Sequence, residues 1–352
     1  MLLVALLFIT SLQYRKESAA NWFGKQVCTS LKGIAAIYIV LVHIHVFTPF
    51  SSPWVWALYP INSIVIFANG LFFFISGWGL WESKRTKIGY LRLSSLANRL
   101  LKLLVPVYLI YIMYYFIRIL NQDAPIPFVY YLLGRGGVEY LYFNDVLWFI
   151  IELCFLYVLF WFLYGKISRE KSNVIFIIMI ALWIAWAVYS GRGIVWYAST
   201  YCFFFGILLS QYKGRVQYKI GRRFRFYLCG SVIGCIVSFL VYLITMENKG
   251  IINAIFANCS TILFCIVCFL ILYKFEVKST LTLWLGWISY ELYLCHMIII
   301  KEYKEIVHND VWRIYCTIFS AILVAVVVHW VDCKLNMYAH MLSHRVFKEN
   351  VK

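Results

Sequence analysis

The residues best suited to chemistry are a lysine and a histidine inside one apolar run. Lys32 and His43 are eleven positions apart in Lys32-Gly-Ile-Ala-Ala-Ile-Tyr-Ile-Val-Leu-Val-His43. On an α-helix this separation is about three turns, so both side chains share one face, about 16 Å apart. Ionisable side chains in an apolar helix are costly, which makes function the first hypothesis. A neutral imidazole there can act as a general base.

A second histidine, His45, lies two positions after His43. Residues two apart on a helix differ by about 200° in direction, so only one of these rings can face a given site. Such a pair is also a poor metal clamp, and we expect no metal site. The face shared with Lys32 favours His43. The alternative is a packed histidine that hydrogen-bonds a neighbouring helix.

Two cations, Arg99 and Lys102, stand in the first turns of another apolar run, shortly before Pro106. As i, i+3 neighbours they lie on one helix face. They fit a phosphate clamp that opens to the cytoplasm. Long cationic side chains at helix ends also extend to lipid headgroups without further function. The pattern leaves both alternatives open.

Polar residues in two further runs are candidates for lining a cavity. Ser76 stands beside Gly77 in an aromatic run, where small residues allow close helix contact. Glu152 follows Trp148 by four positions and therefore shares its helix face. A carboxyl group buried there needs a partner or a proton. Pure packing is the alternative for Ser76 and Trp148, and pairing with a cation is the alternative for Glu152.

A second histidine-bearing stretch follows towards the end of the chain. Ser289 and His296 are seven positions apart, on one helical stripe with Tyr293 beside them. We expect His296 at about the depth of His43. Two histidines from different helices at one depth predict a polar cavity in the bundle. Structural hydrogen bonding of His296 is the alternative.

Composition places these residues in a membrane protein. Of the 352 residues, 63% are hydrophobic and 13% are charged, and the mean hydropathy is +0.80. Soluble domains are about 45–50% apolar and about 25% charged. The net charge of +17 comes from short clusters between apolar runs, which argues against a nucleic-acid partner. The eleven cysteines show no disulfide or zinc spacing.

Ten apolar runs each approach the roughly 20 residues that a helix needs to cross the hydrocarbon. They predict an all-α, polytopic transmembrane bundle. The runs are approximately 33–50, 61–81, 97–118, 145–164, 174–190, 194–211, 226–245, 252–273, 283–300 and 314–333.

Cations concentrate in alternate connections between these runs. Connections 82–96 and 212–225 are rich in lysine and arginine, whereas 51–60 has no charge. The positive-inside rule therefore predicts that both termini are cytoplasmic. The predicted parts are a short apolar and basic lead at 1–32, a transmembrane domain at 33–335 and a cytoplasmic tail at 336–352.

Five segments together resemble acyltransferase family 3, bacterial integral-membrane enzymes that O-acylate surface glycans and other acceptors. They are similar to its Arg/Lys-x10-His, FFxxSG, RxxR, tryptophan and SYxxYLxH motifs. The segments are Lys32-x10-His43, Phe72-Phe-Phe-Ile-Ser76-Gly77, Arg99-x-x-Lys102, Leu147-Trp148-Phe149 and Ser289-Tyr-Glu-Leu-Tyr293-Leu-Cys-His296.

The resemblance implies that His43 is the catalytic histidine, supported by Lys32, and that Arg99 and Lys102 serve the acyl donor. Two departures stand out. Lys102 replaces the second arginine of RxxR, which loses a bidentate fork. Glu152 follows Trp148 by four positions, and the family branch with a glutamate in this region has it one position later.

The expected function is transfer of an acyl group, most simply acetyl, from cytoplasmic acyl-CoA to a hydroxyl of a surface polysaccharide or lipid-linked sugar. The expected location is a bacterial plasma membrane, with acyl-CoA as co-substrate and no bound cofactor. One alternative is a transporter or flippase of a glycan or lipid intermediate, although the sequence shows no repeated halves. Another is a membrane N-acyltransferase. The acceptor and the oligomeric state are left open.

Overall fold

The computed structural model describes residues 2–15, 22–47, 61–122, 141–248 and 250–349. Within this part of the chain nearly all residues are helical, which confirms the predicted all-α class. The strands of this part are a short antiparallel pair, β1 (Leu12–Tyr14) and β2 (Phe275–Val277).

The described part of the chain contains twelve α-helices. The helices are α1 (Leu2–Ser11), α2 (Lys25–Phe47), α3 (Val65–Thr86), α4 (Leu93–Leu120), α5 (Leu141–Lys166), α6 (Arg169–Tyr189), α7 (Tyr201–Gln211), α8 (Lys213–Ile244), α9 (Ile251–Lys274), α10 (Thr280–Trp287), α11 (Ser289–Ile306) and α12 (Asp310–Glu349).

The helices follow the predicted apolar runs in order, and their number is close to the ten predicted spans. Nine helical segments of the described chain are long and apolar enough to cross a membrane. The pair α10 and α11, bent by 71° at Ile288, adds a tenth if it is one span. The sequence predicted one helix at 283–300. Which side of the membrane the termini occupy stays a prediction.

Two boundaries differ from the predicted ones. Helix α2 begins at Lys25, so Lys32 lies about two turns inside it and not at its entrance. The basic stretch predicted as a connection at 212–225 is helical, with a kink at Arg223. Val216 and Ile220 are i, i+4 neighbours and Ile220 is buried, so this basic segment has an apolar stripe that packs inward.

Helix α2, which carries Lys32 and His43, is held against α10 by two glycines. A Cβ on Gly33 would come within 2.6 Å of the amide nitrogen of Gly286. A Cβ on Gly286 would overlap the carbonyl of Thr29. The two helix backbones are therefore in direct contact, as small residues allow in membranes. This contact sets α2 beside the bend that leads into α11.

Replacing Gly206 by alanine is expected to lower the thermal stability of the protein. A Cβ there would overlap the carbonyl of Phe74, and a Cβ on Gly77 would overlap that of Phe203, so α3 and α7 cross in close contact. Overpacking costs about 1–3 kcal/mol. The measurement is the melting temperature in detergent. Gly79→Ala is the matched control on α3, because nothing lies within 4 Å of its Cβ position. Equal melting temperatures for the two variants would contradict this account.

Candidate active site

Two histidines that are far apart in sequence meet between α2 and α11. His43 Nδ1 lies 2.8 Å from His296 Nε2. The two rings are close to parallel and meet edge to edge, with centroids 4.9 Å apart and planes 24° from parallel. His43 is half-buried, whereas His296 is completely buried. The structure thus brings together the two histidines that the sequence placed on different helices, and the polar cavity around them stays a prediction.

His296 is fixed by its own helix and by neighbouring rings. Its Nδ1 lies 3.2 Å from the carbonyl oxygen of Leu292, one turn earlier. The ring of Tyr293 lies 5.8 Å from the imidazole, between centroids. The hydroxyl of Tyr293 donates a hydrogen bond of 3.0 Å to the carbonyl of Val146 on α5. The second histidine therefore has a single, well-supported orientation.

Trp148 and Ser289 have partners on helices near the histidine pair. Trp148 is buried, and its ring lies 6.4 Å from that of Phe73 on α3, between centroids. Ser289 donates a hydrogen bond of 2.9 Å to the carbonyl of Gly286 across the bend. The hydroxyl of Ser289 thus stabilises the break between α10 and α11.

Lys32 lies on the face of α2 that carries His43, and it is half-buried. It interacts electrostatically with Glu291 of α11, although no direct ion pair joins them within the described residues. One carboxyl oxygen of Glu291 lies 2.8 Å from His329 Nδ1 on α12. Sequence reasoning did not single out Glu291. Its position inside the motif from Ser289 to His296, as an acid in an apolar run, was the available signal.

Arg99 lies in a polar corner between α3, α4 and α5. Its guanidinium carbon stands 4.4 Å from the centroid of the Tyr90 ring. Burial raises the pKa of Tyr90 to about 12, so this phenol is neutral at physiological pH. Arg99 also interacts electrostatically with Tyr157, which interacts in turn with Ser76. The structure therefore brings two predicted site residues, Arg99 and Ser76, to one corner.

The side chain of Lys102 has different neighbours from that of Arg99. Its side chain is exposed and interacts electrostatically with Asp332 of α12. The two cations are i, i+3 neighbours on α4, as predicted. Their environments nevertheless differ, because Arg99 stacks on an aromatic ring and Lys102 faces an acid. A clamp on one phosphate would need both side chains to converge.

Glu152 is completely buried and lies apart from the histidine pair. Its neighbours are Thr200 and Cys202, at the start of α7. Within the described residues neither carboxyl oxygen has a hydrogen-bond partner, and the hydroxyl of Thr200 has none either. Residues 197–200 are irregular and buried, and non-helical backbone at membrane depth requires such protection. The structure thus places Glu152 against α7 and away from α11.

An apolar cavity of about 310 Å³ lies between α1, α2, α3 and α9. Helix α2 contributes Leu31, Ile34, Ala35 and Tyr38 to its wall. These residues lie on a helix face turned by roughly 120° from the face of Lys32 and His43. The cavity is therefore separate from the histidine pair.

Comparison with known proteins gives one result. A family model described as an acyltransferase domain, of acyltransferase family 3, matches residues 29–330 of the 352-residue chain. The matched range includes all five motif segments, from Lys32 to His296. No curated protein and no solved structure matches the chain.

Proposed function

The chain belongs to acyltransferase family 3, and from this premise we propose that it moves an acyl group, most simply acetyl, from cytoplasmic acyl-CoA to a sugar hydroxyl. Family membership and the apolar helices make the protein a multi-pass membrane acyltransferase. The proposed acceptor is a surface polysaccharide or a lipid-linked sugar, and the proposed location is a bacterial plasma membrane.

The observation that carries the proposal is the half-buried imidazole of His43. Its Nδ1 is engaged by His296, and no hydrogen bond engages its Nε2 within the described residues. A general base needs a lone pair that a substrate hydroxyl can reach. The half-buried His43 is therefore the better candidate for this role, because His296 is completely buried.

In the proposed step, His43 removes the proton of the acceptor hydroxyl while the hydroxyl oxygen attacks the thioester carbonyl carbon. The carbon–sulfur bond then breaks and the coenzyme A thiolate leaves. The imidazolium returns its proton to this thiolate, so the products are an ester and free coenzyme A. General acid–base catalysis of this type contributes about 10²–10⁴-fold.

The proposed donor site begins at the first turns of α4, the end predicted to face the cytoplasm. Arg99 is the principal phosphate ligand, because its stacked guanidinium is held in one place and offers a planar fork. Lys102 contributes a second charge at the rim. Lys32, about 16 Å from His43 along α2, attracts the anionic donor into the bundle and does not reach the reacting atoms.

The test is transfer of labelled acetyl groups by purified protein in vesicles that contain lipid-linked sugars or surface glycan. The expected result is label in an alkali-labile ester, with one free coenzyme A for each acetyl group transferred. Vesicles without protein are the control. Label in an alkali-stable amide would show an N-acyltransferase instead. Movement of glycan across the vesicle without cleavage of acetyl-CoA would favour a transporter, whose helices are often broken as the α10–α11 pair is.

A complementary measurement uses cells with and without the chain. We expect the proton NMR spectrum of the surface glycan to lose O-acetyl signals when the chain is removed, and to regain them on complementation. An unchanged spectrum would contradict a surface-glycan acceptor.

A further inference from the structure

We propose that His296 is a positioning residue that fixes the tautomer of His43, so that Nε2 of His43 is the atom that accepts the proton. This inference rests on the proposed function. It assigns the reacting nitrogen of His43. It also explains the role of His296, which is completely buried and cannot itself reach a substrate.

The assignment follows from the hydrogen-bond partners of His296. The carbonyl oxygen of Leu292 can only accept, so the Nδ1 that lies 3.2 Å from it carries the hydrogen. A neutral imidazole has one N–H, so Nε2 of His296 holds a lone pair. His43 Nδ1, 2.8 Å from that lone pair, must therefore be the donor.

The same reasoning leaves the lone pair of His43 on Nε2. The opposite tautomer would bring two nitrogen lone pairs within 2.8 Å of each other, which is repulsive. A free imidazole exchanges its two tautomers, and the protein uses the buried partner to select one. In this arrangement His43 is the catalytic base and His296 is the further group that orients it.

The burial of His296 keeps it an acceptor throughout the reaction. It is completely buried, so a positive charge on its ring would be costly. When His43 takes up a proton at Nε2, its Nδ1–H continues to donate to His296. That hydrogen bond then has a charged donor and is strengthened. The pair therefore holds the protonated intermediate without sharing its charge.

The backbone carbonyl of Leu292 makes the arrangement rigid. It belongs to the same helix, four residues before His296, so it cannot rotate away. Tyr293 packs beside the imidazole and is anchored to α5 through Val146. The orientation of His43 is thus set by His296 of α11, which is itself supported from α5 through Tyr293.

Three substitutions of His296 separate positioning from packing. A glutamine can place an acceptor oxygen where Nε2 stands, an asparagine reaches only the position of Nδ1, and a phenylalanine keeps the ring without a nitrogen. We expect His296→Gln to retain most of the activity. His296→Asn and His296→Phe are expected to lower kcat by roughly 10- to 1000-fold, a part of the contribution of acid–base catalysis. The KM for acyl-CoA is expected to stay unchanged.

Nitrogen-15 NMR of histidine-labelled protein in lipid gives a readout that does not depend on activity. The expected result is His43 protonated at Nδ1 in the unmodified protein, assigned by loss of its signals in His43→Gln. In His296→Phe the population is expected to shift towards the tautomer protonated at Nε2. If that variant does not fold, the tautomer of His43 in the unmodified protein and the activities of His296→Gln and His296→Asn still test the inference.

The inference is overturned if His43 carries its hydrogen at Nε2 in the unmodified protein. It is also overturned if the phenylalanine variant is as active as the glutamine variant. Failure of the proposed function gives a different result. In that case the unmodified protein transfers no acyl group, although its His43 tautomer is the one assigned here.

Discussion

Replacing His43 by alanine is expected to abolish measurable acyl transfer, with kcat falling by about 10²–10⁴-fold. The substitution removes the imidazole that is engaged at Nδ1 by His296 and open at Nε2 within the described residues. Membrane insertion should be unaffected, because α2 stays an apolar helix of 23 residues. The measurement is the rate of ester formation from labelled acetyl-CoA at equal amounts of inserted protein.

The matched control is His45→Gln, two positions later on the same helix. His45 is buried, and its direction differs from that of His43 by about 200°. We expect this variant to keep its activity. Full activity in His43→Ala, or equal losses in the two variants, would refute the role of His43 as the base.

Replacing Arg99 by alanine is expected to weaken acyl-CoA binding by roughly 10- to 100-fold, because hydrogen bonds to charged groups contribute about 1.5–3 kcal/mol. Arg99→Lys should recover only part of this loss, since lysine lacks the planar fork that stacks on Tyr90. Lys102→Ala is expected to have a smaller effect, because that side chain is exposed and lies near Asp332. Titration of purified protein with coenzyme A measures the dissociation constants.

Two further variants test this donor site. Lys87→Ala removes an exposed cation just after α3 and serves as the control for general loss of charge. Tyr90→Phe keeps the ring beneath the guanidinium, so we expect little change in binding. An unchanged dissociation constant in Arg99→Ala, or an increase of equal size in Lys87→Ala, would argue against a specific phosphate site.

The fold class and the order of the helices could be predicted because both depend on local properties. About 20 apolar residues in a row are enough to specify a spanning helix, whatever that helix packs against. The bend at Ile288 was not predictable in this way, because it lies within the single predicted apolar run 283–300. The helical start of α8 was missed since its charges, and not its buried Ile220, dominated the pattern.

The candidate site could be predicted only in part. Helical geometry placed Lys32 and His43 on one face, but it left the environment of each cation on α4 undetermined. Arg99 stacks on Tyr90, whereas Lys102 lies near Asp332. The electrostatic interaction of Glu291 with Lys32 was not identified, because it joins two helices.

What the sequence by itself determined is therefore the membrane class, the helices and the face on which each reactive side chain lies, because hydropathy and helical periodicity are properties of a single segment. What only the tertiary structure decided is which faces meet. His43 and His296 are 253 positions apart. They come together because close contacts at residues such as Gly33 and Gly286 set α2 beside the bend that leads into α11. Such packing depends on the shapes of two helices at once, and no periodicity within one helix encodes it.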